Sequence, residues 1–138
     1  MSSGGSVFVD SSAHGALLNA RDGAHDLARR VARRIAGERR RTLTTNFVVA
    51  ETHALLVARA GRRLALAFLE RTLEGPTDVV RVEAADEERA LEIIRRHEDK
   101  DFSVTDATSF AVMSRLGIRE AFAFDRHFAQ YGFVLLEP

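Results

Sequence analysis

Short β-rich runs alternate with longer helical segments along this chain, and that order leaves few folds open. Val7–Asp10 is the first run, followed by a helix from about Ser12 to Ala20 with Ser11 or Ser12 available as its N-cap. Asp22 to about Arg40 reads as a long amphipathic helix, because Leu27, Val31 and Ile35 recur every four residues on one stripe. Thr42–Thr45 is a second run, and Asn46–Ala60 a helix. Gly61 separates it from a further helix over Arg62–Leu73. Gly75-Pro76 marks a turn before a third strand, Asp78–Val82. Ala84–His97 is helical, with Asp86, Glu87 and Glu88 placed to favour its N-terminal dipole. Asp106–Leu116 is a helix stopped by Gly117. Ala121–Phe124 and Phe133–Leu136 are two more strands, joined by a loop or helical turn containing Gly132. Alternation of this kind predicts helices packed on both faces of a parallel sheet. The expected fold is α/β, a three-layer α/β/α sandwich with a central, mostly parallel sheet. It forms one domain over residues 1–138, with residues 1–5 as a flexible leader.

Four acids fall at the boundaries of these segments. Asp10 ends the first strand and Asp125 the fourth, Glu51 lies one turn into a helix, and Asp106 opens another. In open α/β sheets, ligands bind outside the carboxyl ends of the strands, so all four can converge on one crevice. Two unit charges ~4 Å apart repel by about 4 kcal/mol at an effective dielectric near 20. A cluster of carboxylates therefore calls for a cation, and hard oxygen ligands favour Mg²⁺ or Mn²⁺ over zinc.

Each acid also has a plainer use. Asp10 precedes Ser11-Ser12 and could simply cap the first helix. Ser103 and Asp106 have the spacing of a capping box. Asp125 could form a turn or pair with Arg126. Glu51 sits among Val48, Val49, Leu55 and Leu56, which predicts a largely buried helix where a lone carboxylate is costly. Asp101, in a charged loop, ranks below the four as a supporting acid.

Composition narrows the chemistry further. The chain has no cysteine, which excludes disulfides, thiol catalysis and thiolate zinc sites. No apolar stretch is long enough to span a bilayer and no signal pattern opens the chain, so the expected address is the cytoplasm, with no membrane contact. The five histidines show no metal-ligand spacing, and His14, His25 and His97 read as surface residues. No Walker loop, dinucleotide fingerprint or Gly-x-Ser-x-Gly elbow is present. Arg29, Arg30, Arg33, Arg34 and Arg39–Arg41 form a basic stripe, read first as a solvated helix face and second as a phosphate track. Net charge is zero, and nearly all the positive charge is arginine. That bias suits phosphate contacts but also follows from a GC-rich genome, so it does not by itself imply nucleic acid.

Four stretches, FVDSSAHGALL, TTNFVVAETHALL, DKDFSVTDATSFAVM and AFAFDRHFAQYGFVLL, resemble in order and spacing the PIN-domain ribonucleases, within them the VapC-like toxins of toxin–antitoxin pairs. The resemblance covers nearly the whole chain. It implies that Asp10, Glu51, Asp106 and Asp125 are the acidic quartet, with Asp101 a frequent additional acid. Ser11, Thr44 and Thr45 would line the pocket. It further implies an Mg²⁺- or Mn²⁺-dependent endoribonuclease that leaves a 5′-phosphate and a 3′-hydroxyl. The RNA substrate, a cognate antitoxin and a second copy of the chain in a homodimer are the implied partners.

Two other classes compete. A non-catalytic PIN-like module would bind RNA or protein without cutting, but has no need of four clustered acids. A phosphoryl-transfer receiver domain pairs two acids at its first strand end and needs a lysine near its last. Here Ser11 follows Asp10, and the single lysine is Lys100.

Overall fold

A computed structural model describes residues 5–138. The elements run β1 (Val7–Val9), α1 (Ser11–Leu18), α2 (His25–Gly37), β2 (Thr42–Thr45), α3 (Asn46–Ala60), α4 (Arg62–Glu74) and β3 (Asp78–Val80). They continue through α5 (Ala84–Arg96), α6 (Val104–Leu116), β4 (Glu120–Phe122), α7 (His127–Tyr131) and β5 (Val134–Leu135). The strands form one sheet in the order β3-β2-β1-β4-β5, and every pair is parallel rather than mostly so.

Strand β1 lies in the middle and is buried on both faces, as a central parallel strand must be. Its side chains alternate. Phe8 joins one core with Ile93, Phe110, Met113 and Phe128, under α5, α6 and α7. Val7 and Val9 join the opposite core with Ala13, Ala28, Val31 and Ile35, under α1 and α2. Those two cores make the three layers.

The differences from the sequence reading have physical causes. Helix α2 starts at His25 because Asp22 caps the preceding turn, its Oδ1 accepting from the Ala24 N–H at 2.9 Å. Its buried seam is Ala28, Val31 and Ile35, while Leu27 is 40% exposed. Helix α3 buries only the stripe Val48, Thr52 and Leu56, so its expected deep burial is corrected. β4 stops at Phe122, two residues early, because its neighbour β1 has already turned into α1. The Phe124 N–H is satisfied by Ser12 Oγ instead, at 3.0 Å. β3 ends at Val80 for the same reason: β2 passes into α3, and Asn46 Oδ1 accepts the Val82 N–H at 2.8 Å. Helix α6 starts at Val104, with Ser103 as N-cap and Asp106 closing the capping box. It ends at Gly117, whose left-handed φ of 70° suits glycine.

The expected leader lies outside the described residues except for Gly5, whose carbonyl accepts from Arg40 Nε at 2.8 Å. Arg40 is itself buried and ion-paired with Glu120, so it leaves the predicted solvated stripe. Arg34 pairs with Glu38, and Arg41 with Asp78, leaving Arg29, Arg30 and Arg33 as the exposed arginines of α2. Among the described residues, no helix is long and apolar enough to cross a membrane.

Candidate active site

Moving outward from β1, the sheet runs through β2 in one direction and β4 in the other. Such a switch point opens a crevice at the carboxyl ends of the two strands. Asp10 is the first residue beyond β1, and its N–H donates to the Phe122 carbonyl of β4 at 3.0 Å. Its side chain caps α1: Oδ2 accepts from the Ser12 N–H at 3.3 Å and from Ser12 Oγ at 2.8 Å. The residue is only 2% exposed, and Oδ1 is buried with no hydrogen-bond partner. Burial pushes the Asp10 carboxyl up to about 6; the Ser11 and Ser12 hydrogen bonds oppose the rise, and the charge of Asp106 adds to it.

Asp106 reaches the same crevice from the first turn of α6. Its Oδ2 accepts from the Ser103 N–H at 3.1 Å and lies 2.7 Å from Nδ1 of His127. Asp125 lies three residues beyond the end of β4, in the turn before α7, rather than at the strand end. Its Oδ1 accepts from the His127 N–H at 2.8 Å and lies 3.2 Å from His127 Nδ1. Glu51 enters from α3, where it is half-buried. Its Oε2 accepts from the Ser11 hydroxyl at 2.6 Å, beside Asp10. The links run from Glu51 to Ser11, the neighbour of Asp10, and from Asp106 to Asp125 through His127, while Asp10 feels the charge of Asp106.

Three expected residues are placed differently. Asp101 is exposed in the loop between α5 and α6 and is outside the group of close ligand atoms. Thr44 Oγ1 donates to the Val9 carbonyl at 2.8 Å, and Thr45 Oγ1 caps α3 through the Val48 N–H at 3.1 Å. Both hydroxyls serve the backbone. Thr44 also lines a cavity of about 450 Å³ between α1, α2 and α4, none of whose lining residues is one of the four acids.

The donor set fits a hard divalent cation. Ligand atoms of Asp106, Asp125 and His127 all lie within 4.8 Å of one another. Asp10 and Glu51 lie outside that close group, but Asp10 feels the charge of Asp106, and its orphaned Oδ1 is the kind of buried acceptor that a cation satisfies.

His127 is the site residue that motif reading missed. Its partner acid Asp106 is 21 residues away in sequence. The available signal was the local Asp125-x-His127 spacing at a helix start, not a histidine pair. His14, expected at the surface, is instead enclosed with Nε2 unpartnered, its ring edge-on to Phe68 at 5.3 Å. His25 and His97 are half-buried, with Nδ1 atoms 2.7 Å from the carbonyls of Ala16 and Ile93 respectively.

Residues 7–134, which hold the whole crevice, match the PIN domain. The chain belongs to the PIN-domain family. Among PIN proteins, it is 42% identical over 132 residues to the 23S rRNA-specific endonuclease VapC20 of Mycobacterium tuberculosis, in strains CDC 1551 / Oshkosh and ATCC 25618 / H37Rv. That match takes in 96% of this chain and 98% of the relative. The crystal structure of M. tuberculosis VapC20, described as a sarcin-ricin loop cleaving toxin, is similar with a TM-score of 0.90 at 41% identity. It covers 96% of this chain and 100% of the other.

Proposed function

We propose that this PIN domain is a divalent-metal-dependent endoribonuclease, the toxin of a toxin–antitoxin pair, and that it cuts 23S rRNA in the sarcin-ricin loop. The observation that carries the reading is likeness along almost the full length to VapC20, in a chain where Asp106 and Asp125 share contact with His127. A non-catalytic binding module has no use for an orphaned buried carboxylate oxygen. In this reading the free oxygen of Asp10, with Asp106 and Asp125, would hold the ion. Mg²⁺ or Mn²⁺, when bound, supplies an acidified water and offsets the negative charge that develops at phosphorus. Glu51 keeps Oε2 on Ser11 and uses Oε1 to orient the attacking water.

The antitoxin, a homodimer and a cytoplasmic location belong to the same proposal. Leu73, 89% exposed, and the exposed Leu66 and Val57 on α4 and α3 are apolar surface available to a protein partner. A single PIN domain over the residues given belongs to the same proposal, supported by the PIN match over residues 7–134.

The test is cleavage of ribosomes and of an isolated sarcin-ricin stem-loop, with the cut mapped by primer extension. One Mg²⁺- or Mn²⁺-dependent cut, abolished by chelation and by Asp10→Asn, is the expected result. A cut that survives both treatments removes the metal mechanism. No cut in either substrate removes the assigned target.

A further inference from the structure

We infer that His127 is a positioning residue, which clamps Asp106 and Asp125 by one oxygen each and so turns the other oxygen of each toward the ion. This rests on the metal-dependent reading above. The hydrogen bonds divide the work between the carboxylate oxygens. On Asp106, Oδ2 is used twice, by the Ser103 N–H and by His127 Nδ1, while Oδ1 takes no hydrogen bond from the described residues. On Asp125, Oδ1 accepts the His127 N–H and faces Nδ1, while Oδ2 is likewise left free. Both carboxylates are acceptors only, so Nδ1 is the atom that carries the hydrogen. A separation of 2.7 Å from Asp106 Oδ2 is a hydrogen-bond distance, which makes Nδ1 a donor to the acids rather than a competitor for the ion.

The clamp is held from behind. The His127 ring meets Phe102 edge-on at 5.4 Å. The next residue, Phe128, is fully buried against Phe110 at 5.0 Å and Phe8 at 6.0 Å. Helix α7 is therefore anchored to β1 and α6, the same two elements that deliver Asp10 and Asp106. An imidazole on so rigid a base fixes the spacing of acids that arrive from separate parts of the chain. Groups that orient metal ligands in this way commonly govern metal affinity by about 10- to 100-fold.

The experiment is Mn²⁺ binding followed by electron paramagnetic resonance for wild type, Asp10→Asn, His127→Ala, His127→Asn and His127→Gln, each checked for folding by circular dichroism. Asparagine puts an N–H near the Nδ1 position, whereas glutamine puts one near Nε2. The expected result is a roughly 10- to 100-fold loss of affinity in His127→Ala, recovery in His127→Asn and none in His127→Gln. Spin-echo spectra of the bound wild type should show no directly coordinated ¹⁴N. If His127→Ala does not fold, the contrast between Asn and Gln decides alone, and equal affinities there overturn the clamp. Coordinated ¹⁴N that vanishes in a folded His127 variant also overturns it, by making His127 a ligand. Wild-type affinity in His127→Ala, with Asp10→Asn weakened, removes the clamp and leaves the metal reading standing. No Mn²⁺ bound by wild type at millimolar metal removes both.

Discussion

The Ser12 hydroxyl donates to Asp10 Oδ2 at 2.8 Å and accepts the Phe124 N–H at 3.0 Å. One side chain thus ties the acid at the end of β1 to the segment that carries Asp125. Ser12→Ala leaves the Phe124 N–H without its partner and removes one of the two bonds that orient Asp10. The expected cost is about 1–2 kcal/mol of stability, together with weaker metal binding. Chemical denaturation and Mn²⁺ titration of the same variant check both halves. A variant with wild-type stability and affinity would show that the bridge is incidental.

Asp10→Asn is expected to separate stability from activity. The Asp10 carboxyl is raised to about 6 from its ordinary 3.8, so folding favours the neutral form. That contribution is complete below about pH 4 and is lost as pH rises through about 6. Asparagine is neutral throughout and caps a helix as well as aspartate. In the metal-free protein at pH 8, the variant should therefore be more stable than wild type, by up to about 3 kcal/mol, while RNA cleavage is abolished. The gain should shrink toward pH 4 and in saturating Mn²⁺. Melting curves across that range, with and without metal, measure it; a variant less stable than wild type at pH 8 would contradict the buried charge.

The order of strands and helices was legible because boundaries between segments carry an acid, a glycine or a capping residue, as at Asp10, Gly61 and Ser103. The capping box of α6 was legible for the same reason: its two members lie three residues apart. Contacts between elements far apart in the chain were not. Ser11 meets Glu51 across 40 residues, and His127 meets Asp106 across 21. Strand ends were read two residues too far at β3 and β4, since hydrophobicity persists there after the neighbouring strand has become a helix. The enclosure of His14 depends on Phe68 of α4, which no local pattern announces.

Arg115 grips Asp86 with two bonds, Nε to Oδ1 at 3.0 Å and Nη2 to Oδ2 at 2.9 Å. This fork holds the Asp86 carboxyl below the usual carboxylate range and joins the first turn of α5 to the last turn of α6. Arg115→Ala leaves a buried carboxylate with only its capping bond to the Glu83 N–H. Because the arginine itself is partly exposed, the expected cost is about 2 kcal/mol, below that of a fully buried pair. Arg115→Lys should recover part of it, since lysine cannot form the fork. Urea unfolding of the two variants is the check, and equal midpoints for all three proteins would show that the fork adds nothing.

His14 gives the fold its own sensitivity to acid, opposite in sign to that of Asp10. Burial holds its pKa down to about 4 from an ordinary 6.5, because a charged imidazole cannot be solvated where Nε2 is enclosed. Unfolding exposes the ring and lets it take a proton. The stability that neutral His14 permits is thus complete above about pH 6.5 and is lost progressively as pH falls toward 4, by up to about 3 kcal/mol. His14→Leu replaces the ring with an apolar group of similar reach beside Phe68 and removes the unpartnered nitrogen. The variant should match or exceed wild-type stability at pH 7 and lie increasingly above it down to pH 4. Urea midpoints at each pH test this, and parallel curves for the two proteins would mean that another group sets the acid limit of the fold.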